Sequence, residues 1–136
     1  MKTIEVAAAV IRKGSLVFAT QRGYGAFKDG WEVPGGKIEP GETKENALIR
    51  EIQEELNTTI RIEQFIQTVE CDYPGFHLIM HCFLCSVVNG NLEIREHEDF
   101  KWVTLDTLDT LEWLPADRLV LPALKECILK EQNFRN

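Results

Sequence analysis

Apolar residues fall along this chain at two different spacings, and the change of spacing separates strands from helices. Residues 4–12 (IEVAAAVIR) and 16–22 (LVFATQR) are short and rich in β-formers, with Lys13-Gly14-Ser15 as a turn between them, so two strands are predicted. Residues 23–30 (GYGAFKDG) read as a loop, and Trp31-Glu32-Val33 as a short strand running into Pro34-Gly35-Gly36. The spacing then lengthens. Over residues 43–56 (TKENALIREIQEEL), Ile49, Ile52 and Leu56 recur at helical intervals and form the face expected to pack on the core. Thr43 offers an N-cap, and Asn57 stands where a helix exit needs a residue tolerant of left-handed φ. Two β-rich runs follow, 60–72 and 77–88, joined by Tyr73-Pro74-Gly75-Phe76. Asn89-Gly90-Asn91 makes a turn, and residues 100–104 (FKWVT) make another strand. Residues 119–130 (LVLPALKECILK) close the chain as a helix, with Pro122 near its first turn. Strands interrupted by two helices predict a mixed α/β or α+β sandwich.

Length and charge narrow the picture. At 136 residues and 15.6 kDa there is room for one domain, taken as 1–136. With 22 acidic against 15 basic residues the net charge is −7, which argues against a partner in duplex nucleic acid, since such binding needs a basic face. A phosphate ligand is still open, because clustered carboxylates hold divalent cations that neutralise one. No apolar stretch reaches membrane-spanning length, and the start lacks the apolar region of a signal peptide. The expectation is a soluble cytoplasmic protein with no membrane partner. Four cysteines do not alter that expectation. Cys82 and Cys85 form a CxxC, but positions i and i+3 of a strand face opposite ways and cannot share one ion.

The chemistry concentrates between Gly36 and Glu55. On a helix Glu51, Glu54 and Glu55 fall at i, i+3 and i+4, which sets three carboxylates along one stripe. Like charges at that spacing repel by a few tenths of a kcal/mol per pair unless a cation sits among them. Oxygen donors without His or Cys select hard ions, hence Mg²⁺ with Mn²⁺ as a substitute. A solvated acidic face is the ordinary meaning of such a helix. Here the flanking Pro34-Gly35-Gly36 loop offers backbone that can approach a ligand closely.

The register of the segment points further. Gly36, Glu42, Arg50, Glu51, Ile52, Glu54 and Glu55 follow the spacing of the box of the Nudix hydrolases, which the chain resembles. Six fixed letters at roughly one in fifteen each amount to about one chance in ten million per starting position, so accident is a poor account. Asn57 and Thr58 depart from the pattern, standing where it has Gly and an aliphatic residue. Beyond the box, IEVAAAVI, Gln21-Arg22, WEVPGGKIEPGE, KWVTLDTL and Trp113-Leu114-Pro115-Ala116-Asp117 look like the MutT-like branch, in its CTP pyrophosphohydrolase and 8-oxo-dGTP diphosphatase group.

The resemblance implies a mixed β-sheet sandwiched between α-helices. It implies metal ligation by the Gly35 carbonyl with Glu51, Glu54 and Glu55, and one further carboxylate from the loop before residue 100, Glu96 ahead of Glu98. Arg50 would orient the carboxylates, and Arg22 would contact the terminal phosphates, with Lys37 also on the substrate. Val33, Tyr73 and Leu78, with Ile4 and Val6, would line the base, although core packing explains Ile4 and Val6 equally well. Asp117 would read the base edge, as an ionised group that only accepts hydrogen bonds, or would cap the last helix. The three histidines carry no expected metal role, and His97, between Glu96 and Glu98, is expected in an exposed loop.

The implied activity is Mg²⁺-dependent pyrophosphohydrolysis, in which water attacks a nucleoside triphosphate at the β phosphorus to release monophosphate and pyrophosphate. The general base is open among Glu51, Glu54 and Glu96. Rival readings are hydrolysis of ADP-ribose or another nucleoside diphosphate derivative, and non-catalytic nucleotide sensing. Monomer and homodimer are both open.

Overall fold

The computed structural model describes residues 1–95 and 97–135, with side chains through residue 130. Strand β1 (Lys2–Lys13) runs down the middle of a mixed sheet. It turns at Gly14 into β2 (Leu16–Arg22), which carries β3 (Trp31–Glu32) along one edge. After β4 (Gly35–Lys37) comes helix α1 (Lys44–Leu56), then the long hairpin of β5 (Thr59–Tyr73) and β6 (Phe76–Asn89). Strand β7 (His97–Val103) returns to pair with β2, and helix α2 (Pro115–Arg135) ends the fold. The main strand order is β3-β2-β1-β6-β5. β1 and β6 run parallel from Lys2↔Phe76 to Ile11↔Cys85.

Alternation along β1 divides the interior in two. Ala7, Ala9 and Ile11 face one way, onto Leu48, Ile52 and Leu56 of α1. Ala8 and Val10 face the other, onto Ala116, Val120, Leu121 and Leu124 of α2. The same parity puts Cys82 in the α2 core and Cys85 in the α1 core, so the CxxC cannot chelate. The mixed α+β class expected from the sequence is the class observed.

Three local expectations change. Residues 35–37 are a strand rather than a loop. Gly35 lies against Ala8 of β1 so closely that a Cβ there would collide with the Ala7 carbonyl, a contact only glycine permits. The buried row of α1 is Leu48/Ile52/Leu56, while Ile49 is 38% exposed. Both rows are apolar in sequence, and packing against β1 selects the one spaced i, i+4, i+8. Finally, α2 begins at Pro115, where a missing N–H is harmless, so Pro122 lies inside the helix rather than near its start. Among the described residues no helix is long and apolar enough to cross a membrane.

Candidate active site

Strand register builds the site from the β2–β3 edge. Thr20 pairs with Glu32, and the Arg22 N–H donates to the Gly30 carbonyl at 2.9 Å. Arg22 and Glu32 are therefore diagonal neighbours on one face, and the residue opposite Arg22 has no side chain. The Arg22 guanidinium meets the Glu32 carboxylate through Nη2 at 2.9 Å and Nε at 3.3 Å.

Beside this pair opens a cavity of about 230 Å³ on the α2 side of the sheet. Its apolar walls include Ile4 and Val6 of β1, Val33, Tyr73 of β5 and Leu78 of β6. Arg22, Lys37 and Asp117 supply its charges together with Glu32, and Gly35 lines it too. The cavity thus gathers the residues expected from sequence to touch substrate. A second hollow, about 260 Å³, continues from it around β4. The two share Val6, Arg22, Glu32, Gly35, Gly36 and Lys37, and the second adds Glu55, His97 and Tyr24 among others. A hollow of about 460 Å³ elsewhere is larger, but of its basic residues Arg12 is already bound to Glu63 at 2.9 Å. Convergent polar groups distinguish the cleft; size does not.

Asp117 occupies the first turn of α2 rather than the N-cap position. The segment ahead of it is tied to β3, because Trp31 N–H donates to Glu112 and Leu114 N–H donates to Trp31. This pairing carries the Asp117 carboxylate under Val33, whose N–H it accepts at 2.9 Å. The residue is only 5% exposed. Burial, reinforced by the negative charge of Glu32, pushes its pKa up to about 8, against the opposing Val33 hydrogen bond. Burial thus favours the neutral form, with an O–H to donate, of a group that the sequence suggests as an ionised acceptor. Tyr73 serves the same helix: its hydroxyl accepts the Ala116 N–H at 3.1 Å, and burial raises its pKa to about 12. Its ring stacks on Phe76, with centroids 5.1 Å apart.

On α1, Arg50 gathers the box carboxylates. Nε and Nη2 donate to Glu42 at 2.7 and 2.8 Å, and Nη1 donates to Glu51 at 3.0 Å and Glu54 at 3.2 Å. Nη2 also reaches the Lys37 carbonyl of β4 at 3.1 Å. Arg50 and the Glu39 N–H together lower the pKa of Glu42 to about 2. The cation called for by three like charges on one stripe is therefore partly supplied by the chain itself. Among the described residues no three His, Cys, Asp or Glu side chains converge to hold a metal, since Glu51 and Glu54 lie on Arg50 instead. The donor set still suits a hard cation, being oxygen throughout, and Gly36 leaves the space that Glu51 enters. A Cβ at Gly36 would collide with that carboxylate.

Glu96 lies outside the described residues. Glu98 accepts from Lys28 of the 23–30 loop at 3.3 Å. His97 opens β7 opposite Arg22 and lines the second hollow, where an exposed loop position was expected. His77 bridges Asp72 and Glu70 at 2.6 and 2.8 Å, and His81 bridges Thr68 and Glu5, both at 2.7 Å. The sequence reading missed Glu32. Its signal was a lone carboxylate between Trp31 and Val33, one rung from Arg22 across a hairpin.

Comparison with known proteins agrees with this geometry. A family model described as NUDIX domain matches residues 1–124. The CTP pyrophosphohydrolase of Escherichia coli K12 is 31% identical over 124 residues, covering 90% of this chain and 92% of that protein. The 8-oxo-dGTP diphosphatase of the same organism is 32% identical over 127 residues, covering 92% and 98%. Among solved structures, the MutT NUDIX hydrolase from Burkholderia pseudomallei superposes with a TM-score of 0.83 at 25% identity, over 90% of this chain and 98% of that one.

Proposed function

The chain belongs to the Nudix family, as a MutT-like hydrolase of acid anhydrides, and from that premise we propose that it is a nucleoside triphosphate pyrophosphohydrolase. The reaction is (d)NTP + H₂O to (d)NMP + pyrophosphate, with CTP, 5-methyl-(d)CTP or oxidised purine triphosphates such as 8-oxo-dGTP as substrates. One observation carries the reading. A mostly apolar hollow that reaches Asp117 shares Arg22 and Lys37 with a second hollow, to which Glu55 is added. Such a cleft suits a molecule with a flat ring at one end and several negative charges at the other.

Each end then has its task. Val33, Tyr73 and Leu78 enclose the base, and the Asp117 carboxyl hydrogen-bonds its edge while Val33 N–H holds that carboxyl in place. Arg22 and Lys37 bind the phosphates through charge-assisted hydrogen bonds and offset their negative charge. Water adds to the β phosphorus, the bridging anhydride oxygen leaves with the monophosphate, and one of Glu51, Glu54 or Glu96 takes the proton released by the water. Arg50 fixes Glu42, Glu51 and Glu54, so the carboxylates face the reaction in set positions. A divalent cation, Mg²⁺ or Mn²⁺, held by Glu51, Glu54, Glu55 and the Gly35 carbonyl, would offset triphosphate charge and make water more acidic.

A panel of nucleoside triphosphates and ADP-ribose with Mg²⁺, followed for monophosphate and pyrophosphate, tests this. Pyrophosphate release from at least one triphosphate is expected. Turnover of ADP-ribose alone would shift the reading to diphosphate derivatives, and tight binding without turnover would make the protein a sensor.

A further inference from the structure

Building on the triphosphate reading of the cleft, we propose that Glu32 is the positioning residue for Arg22, gripping the guanidinium by one edge so that the other edge meets phosphate. A carboxylate at the lip of a polyanion site is unfavourable in isolation, since it repels the ligand. Glu32 nevertheless lines both hollows. Its geometry accounts for the placement. Both its oxygens bind Arg22, through Nε and Nη2, which is the side-on bidentate arrangement. That grip leaves the Nη1 edge, whose one bond, to the Ala26 carbonyl, is long at 3.4 Å. A guanidinium has two such edges, so a phosphate can take the second without displacing Glu32.

The burial pattern has the same sense. Glu32 keeps 17% of its side-chain surface exposed and Arg22 34%, so the anchor is the more sheltered partner and the cation the more accessible. Arg22 ends β2 and Glu32 ends β3, and the register of that hairpin, Thr20 opposite Glu32 and Arg22 opposite Gly30, sets the two side chains diagonally to one another. Glu32 also directly precedes Val33, whose N–H holds Asp117. Two consecutive residues thus set the phosphate-reading and base-reading groups of the cleft.

A positioning role and simple charge repulsion predict opposite signs, which makes the test decisive. The variants are Glu32→Gln, Glu32→Asp, Arg22→Ala and the Glu32→Gln/Arg22→Ala double, assayed with CTP and 8-oxo-dGTP. Positioning predicts that Glu32→Gln raises KM about tenfold with kcat changed much less, and that the double variant is no worse than Arg22→Ala alone. Glu32→Asp keeps the charge but shortens the reach, so it too should raise KM. In the ligand-free protein, the Arg22 Nε–H resonance should exchange slowly with solvent in the wild type and fast in Glu32→Gln. A lower KM in Glu32→Gln, or additive effects in the double variant, would overturn the proposal. A wild type that hydrolyses no triphosphate would instead sink the reading of the site, and the Nε–H exchange would then decide on its own whether Glu32 holds Arg22.

Discussion

At the base end of the cleft the Asp117 carboxyl is surrounded by Val33, Leu114 and Tyr73, with Glu32 nearby, and its pKa stands at about 8. A carboxyl in the unfolded chain titrates near 3.9, so folding raises this one. Its contribution to stability is therefore complete below about pH 4 and is lost as pH rises towards 8, because the unfolded state releases the proton first. Asp117→Asn keeps an oxygen for the Val33 N–H and removes the titration. Urea midpoints taken from pH 5 to 9 should show the variant gaining on the wild type as pH rises, by on the order of a few kcal/mol at pH 8. Parallel curves would mean that Asp117 ionises normally. On the proposed reading of the cleft, the same proton would govern base choice. Below pH 8 the carboxyl donates, as an amide would, and above it only accepts, so the kcat/KM ratio of CTP to 8-oxo-dGTP should move across pH 8 in the wild type and not in Asp117→Asn. A bidentate contact to a base is worth about 1–3 kcal/mol, so the movement should be roughly five- to 150-fold. The place of Asp117 in the wall of the cleft was legible from its motif. Its protonation was not, because that depends on α2 docking against β3, a contact between residues 84 positions apart.

Helix α1 was the element most legible in the chain, because both of its ends are written locally. Thr43 Oγ1 accepts the Asn46 N–H at 3.1 Å, and Asn57 adopts φ 50°, ψ 44° with its N–H on the Gln53 carbonyl. The two departures from the box pattern also find uses. Asn57 provides that left-handed exit, and Thr58 is fully buried, its hydroxyl donating to the Leu56 carbonyl and accepting the Leu92 N–H. Which apolar row faces inward was beyond local reading, since Ile49 and Leu48 differ only in what lies across from them. Strand β4 was illegible for a related reason: two glycines suggest a loop until β1 is brought alongside. The cap has a consequence for the site, because Thr43 adjoins Glu42, which Arg50 grips. Thr43→Ala should lower stability by about 1 kcal/mol in chemical denaturation, as loss of a cap generally does. Stability unchanged within a few tenths of a kcal/mol would show that the cap contributes nothing here.

Across the whole molecule the sheet keeps two cores apart, and the cleft is where their surfaces meet, at β4. The α2 core supplies the apolar hollow, and α1, on the opposite face, brings Glu55 around β4 to the other end. That division explains why the box was readable from sequence and the junction was not. The box lies on one helix, whereas Arg22, Glu32, Lys37 and Glu55 meet only after four elements pack. It also gives the chain a thermodynamic signature. A molecule of net charge −7 that concentrates Glu42, Glu51 and Glu54 around one arginine holds more negative charge there than Arg50 neutralises. A divalent cation bound at this place favours the folded state by mass action, about 2.7 kcal/mol at a hundred times its Kd. For a chain of this length that is a rise in Tm on the order of 10 °C. Titrating MgCl₂ into the metal-free protein should therefore raise Tm along a logarithmic curve, while NaCl at matched ionic strength should move it far less. Glu55→Gln should abolish most of the rise, cut turnover roughly 100-fold or more, and leave metal-free stability unchanged or slightly higher through relief of repulsion with Glu51. Equal responses to MgCl₂ and NaCl would reduce the effect to general screening and remove Glu55 from the metal site.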